Sequence, residues 1–241
     1  MNEQEVLLPA EAAQRQADHV GIRADHLHNE SARETLRGVA ASLAAPLARG
    51  HVALYVAARE ALEPDAALDD PLAALRRVAA RWRAAFRGTV IGVTGSVGKT
   101  STKEMLRTAL SASGETHASA ASFNNHWGVP LSLARTPATT KYAVLEMGMN
   151  HANEIAPLTR LVRPHVAIIT TIAPVHLEHF RSVDSIAEAK AEIFSGIESD
   201  GTAIINRDIA QYDLLRARAA PRAGRVLTFG ERGDADARLL A

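Results

Sequence analysis

The fold of this protein is decided by one stretch, VIGVTGSVGKTS, which runs from Val90 to Ser101. The β-branched run at 90–93 predicts a strand, and the pattern from Ser101 to Leu110 predicts a helix. A glycine-rich loop lies between them. This order predicts a phosphate-binding loop, because glycines let backbone N–H groups converge on phosphate oxygens and the helix N-terminus adds partial positive charge.

The loop also carries the residue types that a nucleoside triphosphate requires. Lys99 can neutralise the β- and γ-phosphates and the Thr100 hydroxyl can hold Mg²⁺, so ATP or GTP is expected. The predicted nucleotide-binding residues are Gly95, Ser96, Val97, Gly98, Lys99, Thr100 and Ser101. The spacing is a variant of GxxxxGK[ST], since Val93 stands at the first glycine position. The alternative is a glycine-rich strand-to-helix turn with an ordinary surface lysine.

Further along the chain, apolar runs alternate with helical patterns. Near-continuous apolar strands separated by helices predict a doubly wound α/β domain with a mostly parallel sheet, which binds ligands at the carboxyl ends of its strands. The strand candidates are Val90–Val93, Tyr142–Glu146, Val166–Ile172, Thr202–Asn206 and Val226–Phe229.

The amino-terminal part has a different composition. Residues 1–88 contain 11 arginines, 23 alanines and no lysine. Alanine favours helix without defining a buried face. One helix is clearly indicated, because Asp70 can cap it, Pro71 suits its first turn and apolar residues follow every three or four positions. We therefore expect a helical, poorly defined segment at 1–69 and an α/β domain at 70–241.

Two residues at predicted strand ends could bind a metal ion. Glu146 closes an apolar strand, where nucleotide-binding proteins often place an acid near Mg²⁺, although a solvated strand-end glutamate is the alternative. His176 follows the strand Val166–Ile172 and could supply a nitrogen ligand. His176 and His179 alone are a weak metal pattern, since most histidines in such places cap a turn or pack.

Two further segments have competing interpretations. Residues 185–199 predict a helix in which Lys190 lies beside the apolar face, and a surface lysine among glutamates is the alternative. The loop Ser122–Pro130 contains Asn124 and Asn125. It could hold a polar ligand, or form an Asx-turn with a buried tryptophan.

Composition excludes several classes of protein. With 27 basic and 27 acidic residues, the formal net charge is zero, which gives no field for nucleic acid or anionic lipid. There is no cysteine, so disulfides and thiolate metal sites are excluded. No apolar run approaches the ~20 residues that span a bilayer. We expect a cytoplasmic monomer that binds no nucleic acid and inserts into no membrane.

Six blocks, taken in order, resemble the central domain of the Mur ligases, most closely the branch that adds D-alanyl-D-alanine. The resemblance covers about residues 70–241. The blocks are TGSVGKTSTKEM, SFNNHWGVPLSLA, YAVLEMGMNHANEIAPL, TTIAPVHLEHF, AEAKAEIFSGI and TAIINRD. The resemblance implies an ATP-dependent peptide ligase of peptidoglycan precursor synthesis. Such a ligase phosphorylates the carboxylate of UDP-N-acetylmuramoyl-tripeptide, and D-alanyl-D-alanine then attacks the acyl phosphate.

The resemblance also implies roles for individual residues. Lys99 would hold the γ-phosphate of ATP and Thr100 one Mg²⁺, whereas Glu146 and His176 would bind the metal pair. Lys190 matches a lysine that is carbamylated in much of the family. Lys99, His176 and Lys190 are thereby the expected catalytic residues.

The match to the substrate loop is less regular. Asn124 and Asn125 match the loop that faces the UDP-peptide. His126, Met149 and Asn153 depart from residues that are usual in this branch, so substrate contacts at those positions are expected to differ.

The resemblance does not extend over a whole ligase. Residues 1–70 carry no DSR or DGH pattern of the UDP-binding domain, and the chain stops at Ala241, before the family's C-terminal domain. We therefore expect a truncated ligase, with a catalytically inactive nucleotide-binding fragment as the alternative. An amide ligase of the folate or cyanophycin type and an ordinary P-loop kinase fit the blocks less well.

Overall fold

A computed structural model describes residues 71–120, 123–175 and 178–240 of this chain. The predictions for residues 1–69 lie outside the described residues. No helix in the described ranges combines the length and hydrophobicity needed to cross a bilayer. Of the two compact units of the chain, the second, Trp82–Ala241, contains the sheet.

The elements alternate along the chain as a doubly wound fold requires. The strands are β1 (Thr89–Thr94), β2 (Thr116–Ala118), β3 (Tyr142–Glu146), β4 (Val166–Ile169), β5 (Thr202–Asn206), β6 (Arg225–Gly230) and β7 (Ala237–Arg238). The helices are α1 (Pro71–Ala85), α2 (Lys99–Ser111), α3 (Gly128–Ala134), α4 (Ile155–Val162), α5 (Val183–Ala191) and α6 (Tyr212–Ala219), with a 3₁₀ turn at Glu192–Gly196 after α5.

The described strands form one sheet in the order β2-β3-β1-β4-β5-β6-β7, and every pair in it is parallel. Ile91 of β1 is in register with Val144 of β3 on one side and Val166 of β4 on the other. The predicted α/β class with a mostly parallel sheet is therefore confirmed. Strand β1 is central because its β-branched residues are covered on both faces.

Helix α2 and the segment after α5 cover opposite faces of the central strands. On one face, the buried cluster is Ile91, Val93, Val144 and Ile168, with Leu106 and Leu110 of α2 packed against it. On the other face, a Cβ at Gly92 would lie 2.6 Å from Cε of Met147 and 3.5 Å from Ile193 in the 3₁₀ turn. Gly92 thus belongs to the packed strand and not to the phosphate loop.

Several predicted boundaries were wrong. Strand β4 ends at Ile169 and not at Ile172, because Thr171 and Ala173 hydrogen-bond to Ser96 of the phosphate loop instead of continuing the ladder. The helix predicted at 185–199 begins at Val183, after Ser182 caps it, and tightens into the 3₁₀ turn from Glu192. Strands β2 and β7 were missed because two or three residues give no readable alternation.

Arg83 near the end of α1 holds the carboxyl end of α4. Its guanidinium donates to Val162 O at 2.7 Å and Arg163 O at 2.6 Å, and it pairs with Glu198 at 3.1 Å. These carbonyls lie at the carboxyl end of α4, where a helix offers no N–H donor of its own to pair with them. Burial lowers the pKa of Arg83, and Glu198 opposes that effect.

Candidate functional site

The loops after β1 and β4 meet at the carboxyl edge of the sheet. From β1 the chain continues to strands on one side, β2 and β3, and it returns to β4 on the other side. The point between such neighbouring strands opens a crevice at their carboxyl ends, where doubly wound sheets bind ligands. The glycine-rich loop, residues 95–98, lies there.

The loop is fastened to the segment that follows β4. Ser96 N donates to Thr171 O at 2.8 Å, and Ser96 Oγ accepts from Ala173 N at 2.9 Å. Thr170 Oγ1 donates to Val97 O at 2.7 Å. These bonds hold the loop in one shape before any ligand binds, which reduces the ordering cost of binding.

Two glycines permit this backbone path. Gly95 has φ +151° and Gly98 has φ +81°, and side chains other than glycine rarely adopt either conformation. A Cβ at Gly95 would lie 1.9 Å from Thr170 Oγ1. Gly98 is also the N-cap of α2, so the unpaired N–H groups of the first helical turn face the crevice that the loop encloses. The loop thus has the geometry of an anion cradle.

Lys99 folds back over this loop. Its Nζ donates to Gly95 O at 3.0 Å and lies 3.5 Å from Ser96 O. Partial burial lowers the pKa of Lys99, and the carboxylate of Glu146 opposes the shift. The ammonium is therefore held at the loop and does not extend into solvent. Lys99 is thus not the ordinary surface lysine that was considered as the alternative.

Glu146 is buried at the end of β3, with 1 % of its surface exposed. Its Oε2 accepts from the Thr100 hydroxyl at 2.9 Å, and its Oε1 accepts from Asn124 Nδ2 at 2.8 Å. The alternative of a solvated strand-end glutamate is therefore wrong. A carboxylate and a hydroxyl in contact beside a phosphate cradle are oxygen ligands that suit Mg²⁺.

Of the described residues, fewer than three acidic or histidine side chains meet at this point. No group of three or more His, Cys, Asp or Glu that could hold a metal occurs among the described residues. A small protein donor set fits Mg²⁺, which keeps several waters and is usually bound through one or two carboxylates plus substrate phosphates. His176, predicted as a further ligand, lies outside the described residues.

Lys190 on α5 is buried, with 2 % of its surface exposed. Burial, together with the charge of Lys99, lowers the pKa of Lys190 to about 8. The interpretation of Lys190 as a surface lysine is therefore wrong. An amine with this pKa is partly uncharged near neutral pH and can act as a nucleophile toward CO₂.

The asparagine loop forms the Asx-turn that its sequence allowed, although Trp127 is half-buried and not buried. Asn125 forms an Asx-turn, in which its Oδ1 accepts from Trp127 N at 3.0 Å and Gly128 N at 2.8 Å and so starts α3. Asn124 instead directs its amide to Glu146. Gly148 is needed beside it, since a Cβ there would lie 2.8 Å from Asn124 Oδ1.

The three positions that depart from the family pattern differ in their surroundings. Met149 is buried and His126 is exposed. Asn153 has φ +69°, a left-handed conformation that asparagine tolerates better than most residues, and its N–H donates to Glu192. Asn153 therefore holds a backbone conformation that glycine adopts at lower cost.

The sequence analysis assigned no role to Ser119 or Thr170. Ser119 Oγ accepts from Glu146 N at 3.3 Å, and Thr170 binds the phosphate loop as described above. Both carry a hydroxyl group, and each directly follows the last residue of a strand, β2 or β4. No local pattern distinguishes them from ordinary turn residues, so the tertiary contacts alone identify them.

Comparison with known proteins matches this chain to one protein family. The family described as the Mur ligase middle domain matches residues 93–240. UDP-N-acetylmuramoyl-tripeptide--D-alanyl-D-alanine ligase of Rickettsia prowazekii is 39 % identical over 168 residues, covering 69 % of this chain and 37 % of the relative. The Escherichia coli enzyme of the same name is 43 % identical over 145 residues, covering 60 % and 32 %.

Solved structures give the same result. A crystal structure of MurF from Acinetobacter baumannii has a TM-score of 0.65 and 38 % identity, covering 68 % of this chain and 36 % of that one. MurF ligase from Thermotoga maritima, solved in complex with ADP, has a TM-score of 0.62 and 31 % identity, covering 68 % and 38 %. This chain spans about a third of the length of these relatives.

Proposed function

The chain belongs to the Mur ligase family, and on that premise we propose that its site serves an ATP-dependent ligase of peptidoglycan precursor synthesis. The reaction joins D-alanyl-D-alanine to UDP-N-acetylmuramoyl-tripeptide. The names of the most similar relatives support this choice of substrates. ATP is proposed as the nucleotide because a relative binds ADP and because the loop at 95–98 forms an anion cradle.

The observation that carries the proposal is the convergence of Lys99, Glu146 and Lys190 at one edge of the sheet. A phosphate loop and a strand-end carboxylate would suit many NTPases. A second lysine, whose pKa is lowered by burial and then by the charge of the first, is a more specific feature. It places an amine that is partly uncharged beside the lysine of the phosphate loop, in the region where ATP and a carboxylate must meet.

The proposed chemistry makes a poor electrophile reactive. The γ-phosphoryl group of ATP is transferred to the terminal carboxylate of the tripeptide, which forms an acyl phosphate and releases ADP. The amino group of D-alanyl-D-alanine then attacks the acyl carbon, the tetrahedral intermediate collapses, and phosphate leaves. The loop amides at 95–98 and the first turn of α2 bind the phosphates, and Lys99 offsets the repulsion between the two anions.

Mg²⁺ is proposed as the cofactor, held by Thr100, Glu146 and His176. When bound, it supplies positive charge at the transferred phosphoryl group. The carboxylate of Glu146 is preorganised for metal binding, because hydrogen bonds from Thr100 and Asn124 orient both of its oxygens. Ser96, Val97 and Ser101 complete the proposed nucleotide-binding segment.

Lys190 is proposed to act as a carbamate. Its neutral amine would attack CO₂ and lose a proton, so that a buried cation becomes an anion able to position a second Mg²⁺. The low pKa makes the neutral amine available near pH 8. Asn124 and the exposed Asn125 are proposed to face the UDP-peptide.

Calorimetry and product analysis test the proposal in two stages. ADP and ATP should bind in a Mg²⁺-dependent manner, and Lys99→Met should abolish that binding. The matched control is Lys141→Met, because Lys141 is exposed and its Nζ donates to Ser113 O, at the opposite edge of the sheet. Unchanged binding by Lys99→Met would refute the phosphate-loop assignment.

The second stage measures ADP release. ADP release over many turnovers should require both UDP-N-acetylmuramoyl-tripeptide and D-alanyl-D-alanine, because the acyl phosphate must be consumed before the next ATP reacts. Nucleotide binding without substrate-dependent ADP release would refute ligase activity for this chain and leave it as a nucleotide-binding module.

A further inference from the structure

Lys103 is a fully buried lysine to which the proposed mechanism gives no task. It lies one turn after Lys99 on α2, and its side chain has 0 % exposure. Its Nζ donates to Ser119 O at 2.7 Å and lies 3.1 Å from Glu104 Oε1. A buried ammonium is costly unless it is paired, so its retention calls for a specific reason.

Lysine is a rare residue in this protein. The sequence contains 4 lysines among 27 basic residues, so the other 23 are arginines. Of the lysines, Lys103 and Lys190 are buried and Lys99 lies on the phosphate loop, whereas Lys141 is exposed. A compact ammonium fits a closed pocket in which it contacts the Ser119 carbonyl and the Glu104 carboxylate, whereas the planar fork of arginine has a different shape.

The carbonyl that Lys103 holds belongs to a residue that contacts the backbone of Glu146. Strand β2 ends at Ala118, and Ser119 continues its pairing with β3 by donating N–H to Val144 O at 3.1 Å. Its hydroxyl then accepts from Glu146 N at 3.3 Å. On this side of β3, a side-chain hydroxyl has replaced the backbone acceptor that a longer edge strand would supply.

We propose that Lys103 is a positioning residue for Mg²⁺-nucleotide binding, acting through Ser119 on Glu146. Among the described residues, Ser119 bonds to Val144, to Lys103 and to Glu146, and of these bonds the one from Lys103 comes from α2. Lys103 therefore links the helix that carries Lys99 and Thr100 to the strand end that carries the carboxylate. This inference rests on the proposed function, because it concerns how the same site binds its metal.

The test is a titration of ADP binding at increasing Mg²⁺ concentration, by calorimetry on the full chain. Lys103→Met keeps the length and burial of the side chain but removes the donor. It should raise the Mg²⁺ concentration for half-maximal ADP binding about tenfold, as loss of a residue supporting a metal ligand commonly does. Lys141→Met loses a similar lysine–carbonyl bond and should leave that concentration unchanged.

A double-mutant cycle examines the route of the effect. Ser119→Ala removes the hydroxyl that binds Glu146 N and should itself raise the Mg²⁺ requirement. In the Ser119→Ala background, Lys103→Met should add little, because its connection to Glu146 is already broken. Additive effects would overturn the route through Ser119.

Other outcomes are equally decisive. If Lys103→Met lowers the unfolding temperature and leaves the Mg²⁺ requirement unchanged, the residue is structural and the proposal is overturned. If it does not fold, Lys103→Arg is titrated instead, where a rise in the same direction supports the proposal and an unchanged value overturns it. If the unmodified chain binds ADP without any Mg²⁺ dependence, the proposed function itself fails, and this is visible before any variant is made.

Discussion

Replacement of Lys190 by methionine should stabilise the protein at neutral pH. The pKa of this lysine falls from its ordinary 10.5 to about 8, first through burial and then through the charge of Lys99. Each pKa unit corresponds to about 1.4 kcal/mol, so keeping Lys190 charged at pH 7 costs the folded state about 3 kcal/mol. Methionine has nearly the same length, carries no charge and removes that cost.

The stabilisation should depend on pH in a defined direction. Below pH 8 the lysine is charged in both the folded and the unfolded chain, so the whole cost is present. Between about 8 and 10.5 the folded chain has lost the proton and the unfolded chain still holds it, so the stability of the unmodified protein rises with pH. The advantage of Lys190→Met should therefore shrink toward zero by about pH 10.5.

Urea unfolding in CO₂-free buffer at pH 7 and at about pH 10 measures both values. Lys141→Met is the control, since Lys141 is exposed and should give a small, pH-independent difference. Added bicarbonate should stabilise the unmodified protein and not Lys190→Met, because a carbamate forms only on the buried amine of the folded state. Equal stability of Lys190→Met and the unmodified protein at pH 7 would refute the reasoning from burial.

Two further predictions concern the loop and the opposite edge of the sheet. Gly95→Ala should destabilise the fold by about 2 kcal/mol or more, because the added Cβ would overlap Thr170 Oγ1 and the residue has φ +151°. Gly233→Ala is the control in the same urea unfolding series, since an added Cβ there meets open space. His165 Nδ1 accepts from Val90 N at 2.9 Å, which requires a neutral ring, and burial followed by the charge of Arg83 lowers its pKa. Stability should therefore fall as pH drops below about 6.5, and His165→Asn, which keeps an acceptor there, should lose less stability between about pH 7 and pH 5; an equal acid loss in both proteins would contradict this role.

The sequence predicted those parts of the molecule that are encoded in contiguous residues. Strands β3 and β5 begin and end where the apolar runs do, and the order of glycine, lysine and threonine at 95–100 indicated the phosphate loop. A strand can be read in this way because its alternation is local.

The buried state of the site could not be predicted in the same way. For Glu146 and Lys190, the sequence predicted a functional residue but left a solvated surface residue as the alternative. Burial depends on which distant elements cover a side chain, and for Glu146 these include Thr100 and Asn124, which lie 46 and 22 positions away. The pKa of Lys190 depends in turn on Lys99, from a different element.

The sequence by itself therefore determined the α/β class, five of the seven described strands and the loop that can cradle a phosphate, because each is encoded in neighbouring residues. Only the tertiary structure decided that Lys190 is a weakly basic buried amine, that Glu146 is fixed at both oxygens, and that Lys103 reaches Ser119. Desolvation and hydrogen bonding across a sheet edge depend on residues that are far apart in the chain, and these residues come together only when the chain has folded.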